Sequence, residues 1–168
     1  MLAQEGELVG FNILRSIYNF IFSTADRRVY FYIKLMVLMK ERKLKILGTI
    51  LSRRLQRKYG VFLPYESKFD ASLNLVHPTS IIIGSGVELG RNVTIYQNVT
   101  LGRSSASINA YPIIGENTII YSGAVILGSI EIGKNCIIGA NAVVTRDVPK
   151  NSIAVGVPAK FHPRKNDS

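Results

Sequence analysis

The sequence predicts a mainly β protein in which short parallel strands wind into a coil of triangular cross-section, behind a short helical region. Three observations predict this fold. Aliphatic residues recur every six positions over much of the second half of the chain, and glycine, valine and asparagine become dense after Val61. By contrast, residues 8–58 contain one glycine after Gly10 and no proline, which is typical of helices.

The positive charge of the chain is concentrated in its first third. Residues 1–60 hold 12 Lys and Arg against 4 Asp and Glu, whereas residues 61–168 hold 9 against 7. The basic runs KERKLK and RRLQRK lie among apolar residues, a pattern typical of amphipathic helices that contact an anionic membrane surface or an acidic acceptor. A solvated helical face is the alternative. Nucleic acid is not predicted as a partner, because no recognised binding motif accompanies the charge.

Apolar residues at helical spacings predict two or three helices within residues 1–60. Such residues include Ile33, Met36 and Val37 in one run and Ile46, Ile50 and Leu51 in another. The apolar stretch VYFYIKLMVLM is short and contains Lys34, so it predicts no membrane span. The start, MLAQEGELVG, lacks the basic residues of a signal peptide. We expect a cytoplasmic location, with the inner membrane surface as a variant of it.

The second region has an internal period of six residues. From Ile114 onward the chain reads IGENTI, IYSGAV, ILGSIE, IGKNCI, IGANAV and VTRDVP, so the first position of each unit is aliphatic. We call this position the first slot. The first-slot residues are Ile83, Leu89, Ile95 and Leu101 upstream and Ile114, Ile120, Ile126, Ile132, Ile138 and Val144 downstream. Small or aliphatic residues also recur in the fifth slot, as in Val87, Val93, Val99, Ala124, Cys136 and Ala142.

The two repeat segments are separated by GRSSASINAYPI. Leu101 and Ile114 lie thirteen residues apart, one more than two units, and the segment is rich in Ser, Asn and Pro. These residues predict a protruding loop. We therefore divide the chain into an N-terminal helical region (1–60), a coil domain (61–158) with a loop at 102–113, and a basic C-terminal tail (159–168).

A unit of six residues suits one short strand and one corner, and is too short for a hairpin or a helix pair. Three units would complete one triangular turn, with the first-slot side chains inside. Glycine often follows the first slot, as at Gly84 and Gly115, which is consistent with tight corners. Cys136 falls in an inward slot and is expected to be a small buried side chain. A single cysteine also excludes an internal disulfide and fits a reducing compartment.

The stretch LNLVHPTSIIIG, residues 73–84, breaks the period. Leu75 and the next first-slot residue, Ile83, lie eight positions apart, so two extra residues bulge out of this unit. His77, one of two histidines in the chain, lies inside the enlarged unit. By counting units we expect Gln97 one turn above His77, and Glu116 above Gln97.

With this repeat and its break, the chain resembles the hexapeptide-repeat acyltransferases, whose fold is a left-handed parallel β-helix. The resemblance covers roughly residues 61–161. The segment IGANAVVTRDVPKNSIAVGVPAK resembles the closing coil of that superfamily, and LVHPTSIIIGSGVELGRNVTIYQNVTLG resembles the branch with the serine and bacterial polysaccharide acetyltransferases. The resemblance implies acetyl-CoA as co-substrate, no metal, and a homotrimer with active sites between subunits.

Within that branch, the chain resembles most closely the colanic acid and capsular polysaccharide type. Those proteins share a short helical N-terminus and a proline before the unit that follows the loop, as in NAYPIIG. Serine acetyltransferases typically have a histidine where Tyr111 precedes Pro112, and an aspartate near the place of VFLP. The expected acceptor is therefore a hydroxyl of a sugar or polysaccharide precursor, with L-serine as the alternative.

The resemblance also implies roles for individual residues. His77 matches the general base, and an imidazole can take and return a proton at cellular pH. Candidates for orienting His77 or contacting the acceptor are Gln97, Glu116, Asn109 and Tyr111; a backbone carbonyl could orient His77 instead, and Tyr111 could simply pack on the coil. The implied CoA-binding residues are Ser122, whose amide would serve the thioester, Gly123 and Ala140 beside pantetheine, and Thr145, Lys160 and Arg164 toward the nucleotide. A disordered basic tail is the alternative for the last two.

Two other functional classes are alternatives to acetyl transfer. A metal enzyme of the γ-type carbonic anhydrase kind would need three histidines, and the chain has only His77 and His162. A non-catalytic trimeric binding module that uses the basic helices stays open as an alternative.

Overall fold

The computed structural model describes residues 24–105 and 110–164, which form two helices followed by a left-handed coil of short strands. Helix α1 spans Ala25–Glu41 and helix α2 spans Lys45–Tyr59. The strands are β1 (Val61–Phe62), β2 (Asn74–Leu75), β3 (Ile81–Ile83), β4 (Glu88–Leu89), β5 (Thr94–Ile95), β6 (Thr100–Gly102), β7 (Ile113–Ile114), β8 (Ile119–Ile120), β9 (Val125–Leu127), β10 (Glu131–Ile132), β11 (Ile137–Ile138), β12 (Val143–Val144), β13 (Ser152–Val155) and β14 (Lys160–Pro163).

Three sheets form the three faces of a prism. The first face has the order β1-β3-β6-β9-β12, the second β4-β7-β10, and the third β2-β5-β8-β11-β13-β14. Neighbouring strands are parallel, except that β14 pairs antiparallel with β13. The chain visits the third, first and second faces in turn, so each turn of the coil adds one strand to each face. The predicted β-helix is confirmed.

The interior of the prism is filled by the residues of the repeat. All of the predicted first-slot residues, from Leu75 to Val144, are buried. Most fifth-slot residues are buried as well, and Ile130 is partly buried. The Cys136 thiol lies 3.1 Å from the Pro149 carbonyl oxygen, and burial raises its pKa. Cys136 is therefore the buried small side chain that its slot predicts.

Asparagines hold the corner between the second and third faces. Asn92, Asn117, Asn135 and Asn151 all adopt left-handed backbone conformations, with φ between 56° and 57°. The side-chain amides of the first three each donate to the Oδ1 of the next asparagine along the column, at 3.1, 3.2 and 3.0 Å. Asparagine tolerates this conformation better than other non-glycine residues. The column therefore satisfies the corner geometry and links four successive turns.

At this same corner successive backbones approach closely. A Cβ atom on Gly115 would lie 2.6 Å from the carbonyl carbon of Gly133 and from the amide nitrogen of Lys134. No side chain fits in that space without moving the backbone. Glycine after the first slot is thus required here by the distance between turns, and this confirms the sequence-based interpretation.

The two helices cover the first turn of the coil. Helix α1 buries Val29, Ile33 and Met36 in the common core. Helix α2 buries Leu55, and the Ser52 hydroxyl donates to the Leu63 carbonyl oxygen at 2.6 Å. None of the described helices is long and apolar enough to cross a membrane.

Lys40 joins the end of α1 to the first turn of the coil. Its ammonium donates to the Ser67 carbonyl oxygen and lies 3.6 Å from the centre of the Phe69 ring. The side chain forms one wall of a cavity of about 490 Å³. Burial lowers the pKa of Lys40 to about 8, and the Glu66 carboxylate only partly opposes this shift.

The segment after β13 turns back against the coil. Lys160–Pro163 pairs with Ser152–Val155, and the Arg164 amide donates to the Asn151 carbonyl oxygen at 2.7 Å. The alternative of a disordered tail is therefore wrong for Lys160 and Arg164. The backbone hydrogen bonds of the final coil strand hold this segment in place.

Asn117→Ala should lower the free energy of unfolding by about 1–3 kcal/mol, because alanine disfavours a left-handed conformation and loses two side-chain hydrogen bonds. Asn117→Gly should lie between wild type and Asn117→Ala, since glycine keeps the conformation and loses only the bonds. Urea unfolding of the three proteins measures this order. Equal stability of Asn117→Ala and wild type would show that the column does not stabilise the fold.

The unfolding free energy should rise with pH between about 8 and 10.5 through the contribution of Lys40. In this window the unfolded chain, in which lysine has its ordinary pKa of 10.5, binds the proton that folded Lys40 has released. Below pH 8 both states carry the proton, so the contribution is constant. Lys40→Met should remove the rise, whereas Lys34→Met, an exposed lysine on the same helix, should keep it. Urea unfolding across the window tests this, and an unchanged slope in Lys40→Met would contradict it.

Candidate active site

The strand register brings several predicted site residues to the corner between the third and first faces. Leu75 pairs with Ile95, and Ile95 pairs with Ile120. The register continues past the strands, because the Val76 amide donates to the Ile95 carbonyl oxygen at 2.9 Å and the Tyr96 amide to that of Ile120 at 3.0 Å. Residues 77, 97 and 122 therefore follow one another on successive turns. We call this corner, with residues 76–80, 96–99, 121–124 and 139–142, the His77 corner.

His77 lies at the most enlarged part of the His77 corner. Its backbone is left-handed (φ 49°), and Ser80, three residues later, is left-handed as well (φ 51°). These two conformations turn the chain outward and back again within the bulge. Pro78 is buried beneath the bulge, while the imidazole of His77 is exposed in the single chain. The Thr79 carbonyl oxygen accepts the Asn98 amide at 3.0 Å, which fixes the bulge to the next turn.

Gln97 lies on the turn after His77 and carries an unusual polar atom. Its side-chain oxygen Oε1 is buried and has no hydrogen-bond donor among the described residues. Buried acceptors in native proteins nearly always have a donor, and exceptions are frequent at functional sites. The oxygen is thus available to an imidazole N–H, an acceptor hydroxyl or an amide of a bound ligand. Stacking of Gln97 above His77 agrees with the sequence-based expectation.

Glu116 does not lie above Gln97, and this expectation is wrong. Leu89 pairs with Ile114, so Glu116 stacks above Arg91 at the corner between the second and third faces. Its carboxylate binds the Lys134 ammonium at 2.7 Å, and this contact lowers the pKa of Glu116. The loop replaces one corner and does not return the chain to the third face. The residue above Gln97 is Ser122.

Tyr111 packs on the coil at a different corner, between the first and second faces. Its ring covers Gly84 and Gly86, where a Cβ atom on Gly84 would lie 2.5 Å from the ring. The Tyr111 hydroxyl lies 3.3 Å from Ser85 Oγ, and the Arg103 guanidinium lies 5.6 Å from the ring centre. The packing role, rather than a free loop position, describes Tyr111 in the single chain. Asn109, the other predicted loop contact, lies outside the described residues.

Ser122 and Gly123 continue the His77 corner upward. The Ser122 carbonyl oxygen accepts the Asn141 amide at 2.9 Å, and the Gly123 amide donates to the Gln97 carbonyl oxygen at 3.0 Å. Among the described residues no acceptor receives the Ser122 N–H. Gly123 has a left-handed backbone (φ 71°), and a side chain there would collide with Asn141 Oδ1. The Asn141 side chain thus occupies part of the space that the sequence assigns to a ligand channel.

The remaining predicted cofactor residues divide between two places. Ala140 is exposed on the turn above Ser122, in the His77 corner. Thr145 follows β12 at the corner between the first and second faces, away from the other residues in a single chain. Lys160 and Arg164 are exposed in and after β14, on the third face.

Tyr96 and Asn141 belong to the His77 corner, although the sequence analysis did not single them out. The Tyr96 and Tyr121 rings stack at 5.0 Å between centres. The signal for Tyr96 was present in the repeat, because Tyr96 and Tyr121 both follow a first-slot isoleucine where other units carry glycine. Asn141 has no such signal, since its orientation depends on Gly123 leaving it room.

The described residues contain no group of three or more His, Cys, Asp or Glu side chains placed to hold a metal ion. The described residues bring to this corner one exposed imidazole, one buried side-chain oxygen without a donor among them, one backbone amide without an acceptor among them, and two stacked aromatic rings. An imidazole can exchange protons, and the other groups can accept or donate hydrogen bonds to a bound molecule.

Comparison with known proteins identifies the repeat. The family model described as bacterial transferase hexapeptide (six repeats) matches residues 111–146. This part of the chain is therefore similar to the bacterial hexapeptide transferases. Serine acetyltransferases are similar to this chain: that of Mycobacterium tuberculosis is 46% identical over 102 residues, covering 60% of this chain and 44% of the relative. That of Buchnera aphidicola is 36% identical over 117 residues, covering 68% and 45%.

Solved structures of serine acetyltransferases resemble this chain as well. The Brucella abortus enzyme in complex with coenzyme A superposes with a TM-score of 0.74 at 26% identity, covering 86% of this chain and 58% of that one. The Neisseria gonorrhoeae enzyme in complex with serine has a TM-score of 0.66 at 37% identity, covering 74% and 52%. The chain thus spans about half the length of these relatives.

These relatives correct one expectation. The predicted closeness to colanic acid and capsular polysaccharide acetyltransferases is not supported, since the relatives found are serine acetyltransferases. The predicted resemblance to hexapeptide-repeat transferases agrees with the family model that matches residues 111–146.

Proposed function

We propose that this protein is an acetyl-CoA-dependent O-acetyltransferase in which His77 is the general base. The observation that carries the proposal is the His77 corner itself. A broken repeat holds an exposed imidazole there, beneath the unpaired Gln97 oxygen and the Ser122 amide. The relationship to serine acetyltransferases, one of them solved with coenzyme A, supports the choice of co-substrate.

In the proposed reaction, neutral His77 removes the proton from an acceptor hydroxyl. The oxygen attacks the carbonyl carbon of the acetyl thioester, the carbon–sulfur bond breaks, and protonated His77 returns the proton to the departing CoA thiolate. A backbone N–H directed at the carbonyl oxygen would stabilise the charge that develops there. Ser122 is our candidate for this donor. Gln97 Oε1 would accept a hydrogen bond from the imidazole or from the acceptor, and so position one of them.

A second subunit would complete the site. In the single chain His77 is exposed, and Thr145 lies at another corner of the prism. A homotrimer with active sites between subunits, as the family resemblance implies, would bring the His77 corner of one chain near a different corner of its neighbour. We propose this arrangement, in which Lys160 and Arg164 meet the phosphates of CoA.

L-Serine is the first acceptor to test, because the relatives are serine acetyltransferases and one solved structure contains serine. A sugar or polysaccharide hydroxyl is the second candidate. Tyr111 favours this candidate, because serine acetyltransferases typically have a histidine at the position of Tyr111, before the proline. In this chain Tyr111 instead packs over Gly84 and Gly86. The second candidate is favoured too by buried Leu63 in VFLP, a segment without a carboxylate.

His77→Ala should reduce acetyl transfer by about 100- to 10,000-fold, because the residues of the His77 corner include no second histidine and no carboxylate that could take up the hydroxyl proton. His162→Ala is the matched control: His162 is exposed in β14 beside the proposed phosphate contacts Lys160 and Arg164, so any effect should fall on the KM for acetyl-CoA, and kcat should stay within about twofold. Release of free CoA thiol, followed with a thiol reagent, measures both. A folded His77→Ala protein with normal turnover would remove His77 from the mechanism.

The acceptor can be identified by supplying acetyl-CoA with L-serine, nucleotide sugars or oligosaccharides in separate reactions. We expect acetylated product with one class only, and mass spectrometry distinguishes O-acetylserine from an acetylated sugar. Serine turnover would assign the protein to the activity of its relatives. Calorimetry with acetyl-CoA completes the test: failure to bind acetyl-CoA would contradict the proposal and leave the non-catalytic binding module.

A further inference from the structure

One side of α2 leaves large apolar side chains in solvent. Ile46 is 78% exposed and Ile50 is 51% exposed, with Leu44 and Leu47 exposed beside them. The helix is attached to the coil by its opposite side, which buries Leu55. The exposed apolar residues therefore add little to the stability of a single chain, although each costs free energy in water.

Cations surround this apolar surface. Arg53, Arg54 and Arg57 continue it along the helix, and Arg42 and Lys43 precede it; all five are exposed. Helix α2 contains no Asp or Glu. Positions 46, 50, 53 and 57 follow one stripe of the helix at spacings of three and four residues. We call the set formed by Leu44, Ile46, Leu47, Ile50, Arg53, Arg54 and Arg57 the α2 outer face.

We propose that the α2 outer face binds an anionic membrane surface. In this arrangement the helix lies parallel to the bilayer, with Ile46 and Ile50 inserted between head groups. The guanidinium groups of Arg53 and Arg57 bind lipid phosphates, and Arg42 and Lys43 extend the positive surface. Exposed apolar and basic residues together match the two components of such an interface, its acyl boundary and its negative charge.

Charge selects this partner over two others. A second copy docked face to face would bring the same arginines together with no carboxylate on α2 to pair with them. Nucleic acid would match the charge but would leave Ile46 and Ile50 without an apolar partner.

The test is flotation of the full-length protein with phosphatidylcholine vesicles that contain or lack phosphatidylglycerol. We expect binding to the anionic vesicles only, and weaker binding at high salt. The double variant Ile46→Ser/Ile50→Ser should reduce the partition coefficient by about tenfold or more, since two apolar side chains no longer enter the interface. Arg53→Gln/Arg57→Gln should reduce it as well.

The matched control is Ile82→Ser/Ile113→Ser, which removes two exposed isoleucines from strands of the prism and leaves α2 unchanged. It should bind vesicles as wild type does, and circular dichroism should show that every variant is folded. Three results would overturn the proposal. The first is no binding to anionic vesicles, and the second is equal vesicle binding by wild type and Ile46→Ser/Ile50→Ser. The third is that Ile46→Ser/Ile50→Ser loses self-association or nucleic-acid binding but keeps vesicle binding. None of these depends on acetyl transfer, so the two proposals fail separately.

Discussion

The structure depends on the register between successive turns of the coil. Backbone hydrogen bonds link residues such as Leu75, Ile95, Ile120 and Ile138 in one column, and their side chains fill the interior. A shift of one residue would turn a first-slot side chain outward and leave its hydrogen bonds unmatched. Because every turn must keep this register, an added residue can be accommodated only at a corner. Corners are therefore the places where this fold can acquire chemistry.

The three columns of corners have different uses. Between the second and third faces, asparagines and close-packed glycines make a regular edge. Glu116, which the sequence predicts as a site residue, lies there and pairs with Lys134. Between the first and second faces, the loop departs and Tyr111 packs over two glycines. The His77 corner alone combines a bulge, an exposed imidazole and a buried acceptor without a donor among the described residues. Its irregularity is what separates it from a purely structural edge.

The six-residue period of the sequence predicts which side chains are buried and which residues stack on successive turns. First-slot burial, the inward position of Cys136 and the column from His77 to Gln97 all follow from counting in sixes. Counting failed across the loop, because a thirteen-residue connection does not reveal which face it returns to. Leu89 pairs with Ile114, which places Glu116 at another corner, and only the folded structure reveals this pairing. Likewise, the strand formed by Lys160–Pro163 has no repeat to predict it, and the outward side of Ile46 depends on how α2 meets the coil.

In the proposed mechanism, the broken repeat positions His77 to act on a thioester. A crystal structure of the protein with bound CoA tests this claim most directly. We predict the CoA sulfur at the His77 corner, within hydrogen-bond reach of the imidazole at about 3–4 Å, with the pantetheine chain passing Ser122 and Ala140. A sulfur bound at another corner, with His77 free in solvent, would contradict the account.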